Sequence, residues 1–139
     1  MSKKTPCVSE CRVLVTGAAG FIGMHVTSRL RRMTDVDSVV GLDSFNSYYS
    51  PHMKLARQHV LHQAGVEVVS GDVCNASLLH HLFEAHRITH VVHLAAQAGV
   101  RFSQTHPMTY VKENLECFTV LLEVLRAHAG VHLVYASSS

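Results

Sequence analysis

The chain has 139 residues, of which 47% are hydrophobic and 16% are charged, and its formal net charge is +2. This length and composition are typical of one globular domain with a hydrophobic core. Lysine and arginine occur in runs no longer than a pair, so we expect no nucleic-acid partner. No apolar stretch is long enough to span a membrane and no signal-peptide pattern is present, so we expect a cytoplasmic protein without a membrane partner.

The chain contains four cysteines and twelve histidines, the residue types of disulfides and metal sites. Cys7, Cys11, Cys74 and Cys117 have neither zinc-ligand spacing nor the density of a disulfide scaffold, so we expect four free, reduced thiols. Twelve histidines are present, but an odd separation places His90 and His93 on opposite faces of a predicted strand. Zinc needs three or four convergent ligands, so the sequence predicts no metal site.

Strand and helix patterns alternate after a polar leader over residues 1–11. Predicted strands cover residues 13–16, 39–42, 66–70, 90–94 and 132–136, and predicted helices cover residues 21–32, 51–63, 77–86 and 107 to about 130. Asn75 is a predicted helix N-cap. This alternation predicts an α/β fold: a Rossmann-type doubly wound parallel sheet in the order 3-2-1-4-5, with a ligand crevice at the carboxyl ends of the strands.

The first strand leads into a glycine-spaced turn that opens a helix. Gly17 suits the tight turn, Gly20 allows backbone close to phosphate, and Gly23 allows close helix packing. Twenty residues after Gly23 the second strand ends in Asp43, whose carboxylate can accept hydrogen bonds from the adenosine ribose. Strand, turn, helix and acid in this order predict a site for a nicotinamide dinucleotide, and Asp43 favours NAD over its 2′-phosphorylated form.

Five segments together carry a family resemblance: V-T-G-A-A-G-F-I-G, G-L-D-S-F-N-S-Y-Y, G-D-V, H-L-A-A-Q-A-G-V-R-F-S and Y-A-S-S-S. They resemble the extended short-chain dehydrogenase/reductase family of NAD-dependent epimerases and dehydratases, and are most similar to its UDP-glucuronate 4-epimerases. Residues 12–139 would then be the NAD-binding domain. The resemblance implies a UDP-sugar substrate, reversible hydride transfer at C4 of the sugar, and a homodimeric parent enzyme.

The resemblance also implies roles for individual residues. Cofactor contacts are expected at Gly17, Gly20, Phe21, Ile22, Gly23, Asp43, Asp72, Val73, Leu94, Ala95, Ala96, Gln97 and Asn114. Arg101 is suited to a sugar carboxylate or phosphate, because its planar fork pairs with two oxygens; a solvated surface arginine is the alternative. Ser138 matches the hydroxyl that hydrogen-bonds the reacting oxygen, with Ser137 and Ser139 as alternatives.

One departure from the family pattern concerns catalysis. The family's Tyr-x-x-x-Lys pair is absent, because no tyrosine of this chain has a lysine four positions later. The sequence also lacks a substrate domain. We therefore expect an amino-terminal fragment of an epimerase that is itself inactive. Two alternatives stay open: a fragment of a UDP-glucose 4-epimerase or dTDP-glucose 4,6-dehydratase, and a dinucleotide-binding module without catalysis.

Overall fold

A computed structural model of the chain describes residues 10–48 and 50–137. Its strands are β1 (Arg12–Thr16), β2 (Ser38–Asp43), β3 (Glu67–Ser70), β4 (His90–His93) and β5 (His132–Tyr135). All five predicted strands are present, with ends that differ from the prediction by one residue. The leader expected over residues 1–11 falls mostly outside the described residues.

The helices alternate with the strands as predicted. They are α1 (Phe21–Arg31), α2 (Pro51–Gln63), α3 (Ala76–His86), α4 (Val100–Thr105), α5 (Pro107–Tyr110) and α6 (Cys117–Ala127). Asn75 caps α3, because its side chain accepts the Leu78 N–H at 3.0 Å. The predicted long helix after Pro107 is divided, since a π-helical segment, Val111–Glu116, separates α5 from α6. Such segments occur frequently at functional sites.

The sheet is parallel throughout and has the order β3-β2-β1-β4-β5, which confirms the predicted topology. At its carboxyl end, Thr16 of β1 pairs with Leu42 of β2 on one side and with His93 of β4 on the other. Asp43 pairs with Ser70 of β3 one residue further along. Because parallel strands all end at one edge, the loops that follow them converge there.

A hydrophobic core lies on each face of the sheet. On one face Val13 and Val15 of β1 pack in a cluster that includes Leu61 of α2. On the other face Leu14 packs with Leu79 of α3, Leu121 of α6 and their neighbours. Adjacent β1 residues alternate between the two clusters, as the two-residue period of a strand requires. Burial on both faces therefore holds the carboxyl ends of β1, β2 and β4 in fixed positions.

The β5 strand forms one edge of the sheet and is less covered than the others. Val134 is 63% exposed, whereas Leu133 packs against the core on the α3 and α6 side. None of the helices within residues 10–48 and 50–137 is both long and apolar enough to cross a bilayer.

Candidate dinucleotide-binding site

The glycine turn after β1 is closed by contacts that leave no room for side chains. Gly17 has φ +70°, in the left-handed region, and a Cβ on it would lie 2.8 Å from the Ala95 backbone nitrogen. A Cβ on Gly23 would overlap the carbonyl oxygen of Gly17. The first turn of α1 therefore packs directly on the turn that leaves β1, as the spacing of the glycines predicts.

The amino terminus of α1 faces outward from this turn. Gly20 is the N-cap residue and has no side chain to cap the helix. Phe21 and Ile22 follow it with side chains 68% and 63% exposed. Their backbone N–H groups belong to the first helical turn. The N–H groups of that turn have no acceptor within the helix, so they attract anions. Phe21 and Ile22 can therefore contribute backbone rather than side-chain contacts.

Asp43 is buried at the end of β2 and its carboxylate is held by three donors. Oδ2 accepts the Ala19 N–H at 3.0 Å, and Oδ1 accepts the Phe45 N–H at 2.9 Å. The ammonium of Lys54 lies 3.3 Å from Oδ1 and donates also to Asn46 Oδ1 at 3.1 Å. Side chains of Asp43 and Lys54 are only 5% and 8% exposed. These bonds fix the carboxylate between the glycine turn and the start of α2.

Lys54 is a site residue that the sequence analysis missed. It lies seven residues before Leu61, which places both on the buried face of α2. A lysine on the apolar face of an amphipathic helix is rarely buried without a partner. That position was the signal in the sequence, and its ion pair with Asp43 is the structural reason.

A cavity of about 110 Å³ lies at the carboxyl ends of the strands, beside these groups. Nine of the predicted cofactor-contacting residues line it: Gly17, Gly20, Asp43, Asp72, Val73, Leu94, Ala95, Ala96 and Gln97. Residues not named by the sequence analysis, among them Lys54, Tyr48 and Glu113, line it as well. Residues that lie far apart in the sequence thus converge on one cavity.

The turn after β3 forms one wall of the cavity. Asp72 Oδ1 accepts the Cys74 N–H at 2.8 Å, and Val73 is buried in the core on the α3 and α6 side. Asp72 and Val73 therefore line this cavity, and the cofactor contacts that the resemblance implies for them stay a prediction.

The cysteines of this wall correct the expectation of free thiols. Cys74 and Cys117 form a disulfide across 43 residues of sequence, whereas Cys11 is free and Cys7 lies outside the described residues. The prediction was wrong for this pair because the fold brings the turn after β3 against the first residue of α6. Spacing along the chain carries no sign of that approach.

The residues after β4 form the opposite wall, and Thr16 holds them. Thr16 Oγ1 accepts the N–H groups of Leu94 and Ala95, each at 3.2 Å, and lies 2.7 Å from His93 Nδ1. Both acceptor positions of the hydroxyl are used, so its hydrogen is donated to Nδ1 and the imidazole is neutral. Burial lowers the pKa of His93 from 6.5 to about 4, in agreement with this arrangement.

Asn114 and Gln97 join this wall to the π-helical segment. Asn114 Oδ1 accepts the Gln97 N–H at 2.7 Å, and Asn114 Nδ2 donates to the Gln97 carbonyl at 3.0 Å. Both ends of the Asn114 amide are thus used on the backbone of the loop. Asn114 does not line the 110 Å³ cavity, so the contact that the resemblance implies for it stays a prediction.

A second cavity, of about 290 Å³, adjoins the first across Leu94, Ala95 and Ala96. The rest of its lining is formed by His93, Asn114, Phe118, Tyr135 and Ala136. Small side chains at Ala95 and Ala96 separate the two spaces. An elongated ligand can therefore extend from the first cavity into the second along the ends of β1 and β4.

Arg101, the residue assigned to the substrate, is not among the residues that line the two cavities. Arg101 is exposed in the first turn of α4, and no hydrogen bond or ion pair within residues 10–48 and 50–137 involves it. Ser138, the predicted catalytic hydroxyl, lies outside the described residues, as does its alternative Ser139.

Comparison with known proteins identifies relatives over nearly the whole chain. Residues 13–139 match the NAD dependent epimerase/dehydratase family. The chain is 53% identical over 128 residues to UDP-glucuronate 4-epimerase 3 of Arabidopsis thaliana, covering 91% of this chain and 29% of that protein. It is 39% identical to a probable UDP-glucuronate 4-epimerase of Rhizobium meliloti, covering 92% of this chain and 37% of that protein. The chain thus spans about a third of the length of these relatives.

Solved structures share the fold. One is a UDP-glucose-4-epimerase from Stenotrophomonas maltophila with bound NAD and formylated UDP-arabinopyranose, with TM-score 0.79 and 30% identity, covering 94% of this chain and 38% of that one. Another is a UDP-glucuronic acid 4-epimerase variant from Bacillus cereus with NAD and UDP-4-deoxy-4-fluoro-glucuronic acid, with TM-score 0.78 and 30% identity, covering 91% of this chain and 40% of that one. The match over residues 13–139, together with the glycine turn and the buried acid of β2, shows that the chain belongs to the NAD-dependent epimerase/dehydratase family.

Proposed function

We propose that this chain binds NAD at the carboxyl edge of its sheet and forms the cofactor-binding part of a UDP-glucuronate 4-epimerase. The buried Asp43 carboxylate beside the side-chain-free Gly17 turn is the observation that carries the proposal. The many UDP-glucuronate 4-epimerases among its relatives support the substrate. The bound cofactor would accept and return a hydride at C4 of the sugar, which inverts that carbon.

The residues present fit the dinucleotide. The turn from Gly17 to Gly23 carries no side chain at its three glycine positions, where a Cβ would meet neighbouring backbone, which suits a pyrophosphate bound close to the backbone. The carboxylate of Asp43 accepts hydrogen bonds, so it suits ribose hydroxyls and opposes a 2′-phosphate. Lys54 compensates part of the negative charge of Asp43 and keeps its position fixed.

Arg101 supports the assignment of the sugar acid. Its guanidinium is exposed and has no partner among the described residues, so it is available to a carboxylate supplied by substrate. In a longer form of the protein that carries a Tyr-x-x-x-Lys pair, Arg101→Ala should reduce kcat/KM for UDP-glucuronate more than for UDP-glucose. Equal losses on both sugars would contradict recognition of the carboxylate.

No tyrosine of this chain has a lysine four positions later, so we expect the 139-residue chain alone to form no UDP-galacturonate from UDP-glucuronate.

Binding calorimetry with NAD and NADP tests the cofactor assignment. The 139-residue chain should bind NAD more tightly than NADP, and Asp43→Ala should weaken NAD and narrow the difference. A matched control is Asp37→Ala, which removes an exposed acid at the opposite, amino-terminal end of β2. Equal affinities for the two dinucleotides, or an Asp43→Ala variant with wild-type affinity, would contradict the ribose assignment. A homodimeric parent and a cytoplasmic location also remain predictions of this proposal.

A further inference from the structure

The Cys74–Cys117 disulfide joins two walls of the candidate dinucleotide site. Cys74 follows Asp72 and Val73 in the turn after β3, and Cys117 begins α6 immediately after the π-helical segment. Cys117 itself lines the 110 Å³ cavity and is 2% exposed, whereas Cys74 is partly exposed. No other bond between side chains ties the turn after β3 to the π-helical segment or to α6 within the described residues, apart from weak sulfur contacts of Cys117.

Two carboxylates surround the sulfur of Cys117. Asp72 Oδ1 lies 3.7 Å from Cys117 Sγ, and Glu113 Oε2 lies 4.0 Å from it. In the disulfide Cys117 has no hydrogen to donate, so Asp72 Oδ1 accepts only the Cys74 N–H and keeps acceptor capacity toward the cavity. A free thiol at the same place would carry a hydrogen within reach of that oxygen.

We propose that the Cys74–Cys117 pair is a redox centre whose reduction weakens dinucleotide binding at the adjoining cavity. The proposal rests on the proposed function, because it assumes that the cavity binds NAD. The co-reactant is a dithiol. A thiolate of the dithiol attacks the more accessible Cys74 sulfur, and Cys117 leaves as a thiolate that takes up a proton. The second thiol of the dithiol then releases Cys74, so two electrons and two protons pass to the protein and the dithiol becomes a disulfide.

Three effects of reduction act in the same direction. The turn that presents Asp72 is no longer tied to α6, so ordering it on binding costs more conformational entropy. The new Cys117 thiol competes for Asp72 Oδ1 with any donor on the ligand. Once the disulfide is broken, the two sulfur atoms move apart to van der Waals distance. Cys117 lines the cavity, so its side chain can move into that space.

The compartment decides which state the protein occupies. Disulfides persist in oxidising compartments and are opened by the thiol systems of reducing ones. A bond at the wall of the site therefore couples dinucleotide affinity to the thiol redox state around the protein.

The test compares NAD affinity of the 139-residue chain before and after treatment with dithiothreitol, by calorimetry at one pH. Thiols are counted in both samples after alkylation under denaturing conditions. A chelator is present throughout, because Asp72, Cys74 and Cys117 offer ligand atoms within 4.8 Å of one another and could hold a metal ion once reduced. Cys74→Ser is the variant, and Cys11→Ser, which removes the free cysteine beside β1, is the matched control.

We expect reduction to add two thiols and to weaken NAD binding about fivefold, the equivalent of one net hydrogen bond. The Cys11→Ser control should respond in the same way, and Cys74→Ser should bind with the weaker affinity whether or not reductant is present. Equal NAD affinity in the two states with the change of two thiols verified, or no gain of thiols on reduction, would overturn the redox centre alone. Absence of NAD binding in both states would contradict the proposed function, and the coupling with it.

Discussion

Acid should destabilise the protein through His93, whose neutral imidazole accepts the hydroxyl hydrogen of Thr16. Burial lowers the pKa of His93 from 6.5 to about 4, so the folded state favours the neutral form. Because the pKa is lower in the folded state, the contribution of His93 to the free energy of unfolding is fully present above pH 6.5. It is lost as the pH falls from 6.5 toward 4. Protonation also places a hydrogen on Nδ1, against the Thr16 hydroxyl that holds Leu94 and Ala95.

The size of the effect follows from the two pKa values. Between pH 7.5 and pH 5 the unfolded chain gains almost a full proton at His93 and the folded chain gains about a tenth of one. Linkage then removes about 2 kcal/mol of the free energy of unfolding by pH 5, and about 3 kcal/mol once both states are protonated. This is a large part of the stability of a domain of this size.

Urea unfolding followed by circular dichroism at pH 7.5 and pH 5 measures the loss. His93→Asn keeps an acceptor near the position of Nδ1 but does not titrate, so its loss should be smaller than that of the wild type by about 2 kcal/mol. His81→Asn, at an exposed position of α3, is the matched control and should follow the wild type. Equal losses in the wild type and His93→Asn would refute the assignment of the acid effect to His93.

Three further substitutions test the packing and charges around the site. Gly23→Ala should lower the free energy of unfolding by about 1 to 3 kcal/mol, because its Cβ overlaps the Gly17 carbonyl; unchanged urea unfolding would contradict the close approach. Lys54→Met should cost about 2 to 4 kcal/mol by leaving a buried carboxylate unpaired, and the double variant with Asp43→Asn should recover part of this in the same assay. Arg101→Ala should change stability by less than about 0.5 kcal/mol, since the residue is exposed; a larger loss in thermal unfolding would reveal a structural role.

The features that the sequence predicted are those determined by local pattern. The five strands carry buried apolar runs, and the turn from Gly17 to Gly23 has a spacing whose steric reason the structure now gives. The position of Asp43 beside the glycine turn was predictable, because the neighbouring parallel strand β2 ends next to the turn that follows β1. Element types and topology therefore followed from periodicity and chain order.

Features that depend on distant contacts were not predictable in this way. The position of Lys54 on α2 indicates burial, but its partner Asp43 follows only from the tertiary structure, and Cys74 meets Cys117 only because α3 and α6 share one face of the sheet. Asn114 lies in the π-helical segment and contacts the Gln97 backbone. The hydrophobic periodicity of the sequence does not predict that segment. Each of these features depends on how the helices and strands are arranged in the tertiary structure, whereas sequence patterns mainly predict local structure.

A crystal structure of the 139-residue chain with NAD tests the central claim most directly. We expect the pyrophosphate to lie against the backbone of the Gly17–Gly23 turn, and a ribose hydroxyl oxygen to lie within hydrogen-bond distance of the Asp43 carboxylate, about 2.5 to 3.0 Å. A dinucleotide bound at another surface, or one in this cavity whose ribose makes no contact with Asp43, would contradict it.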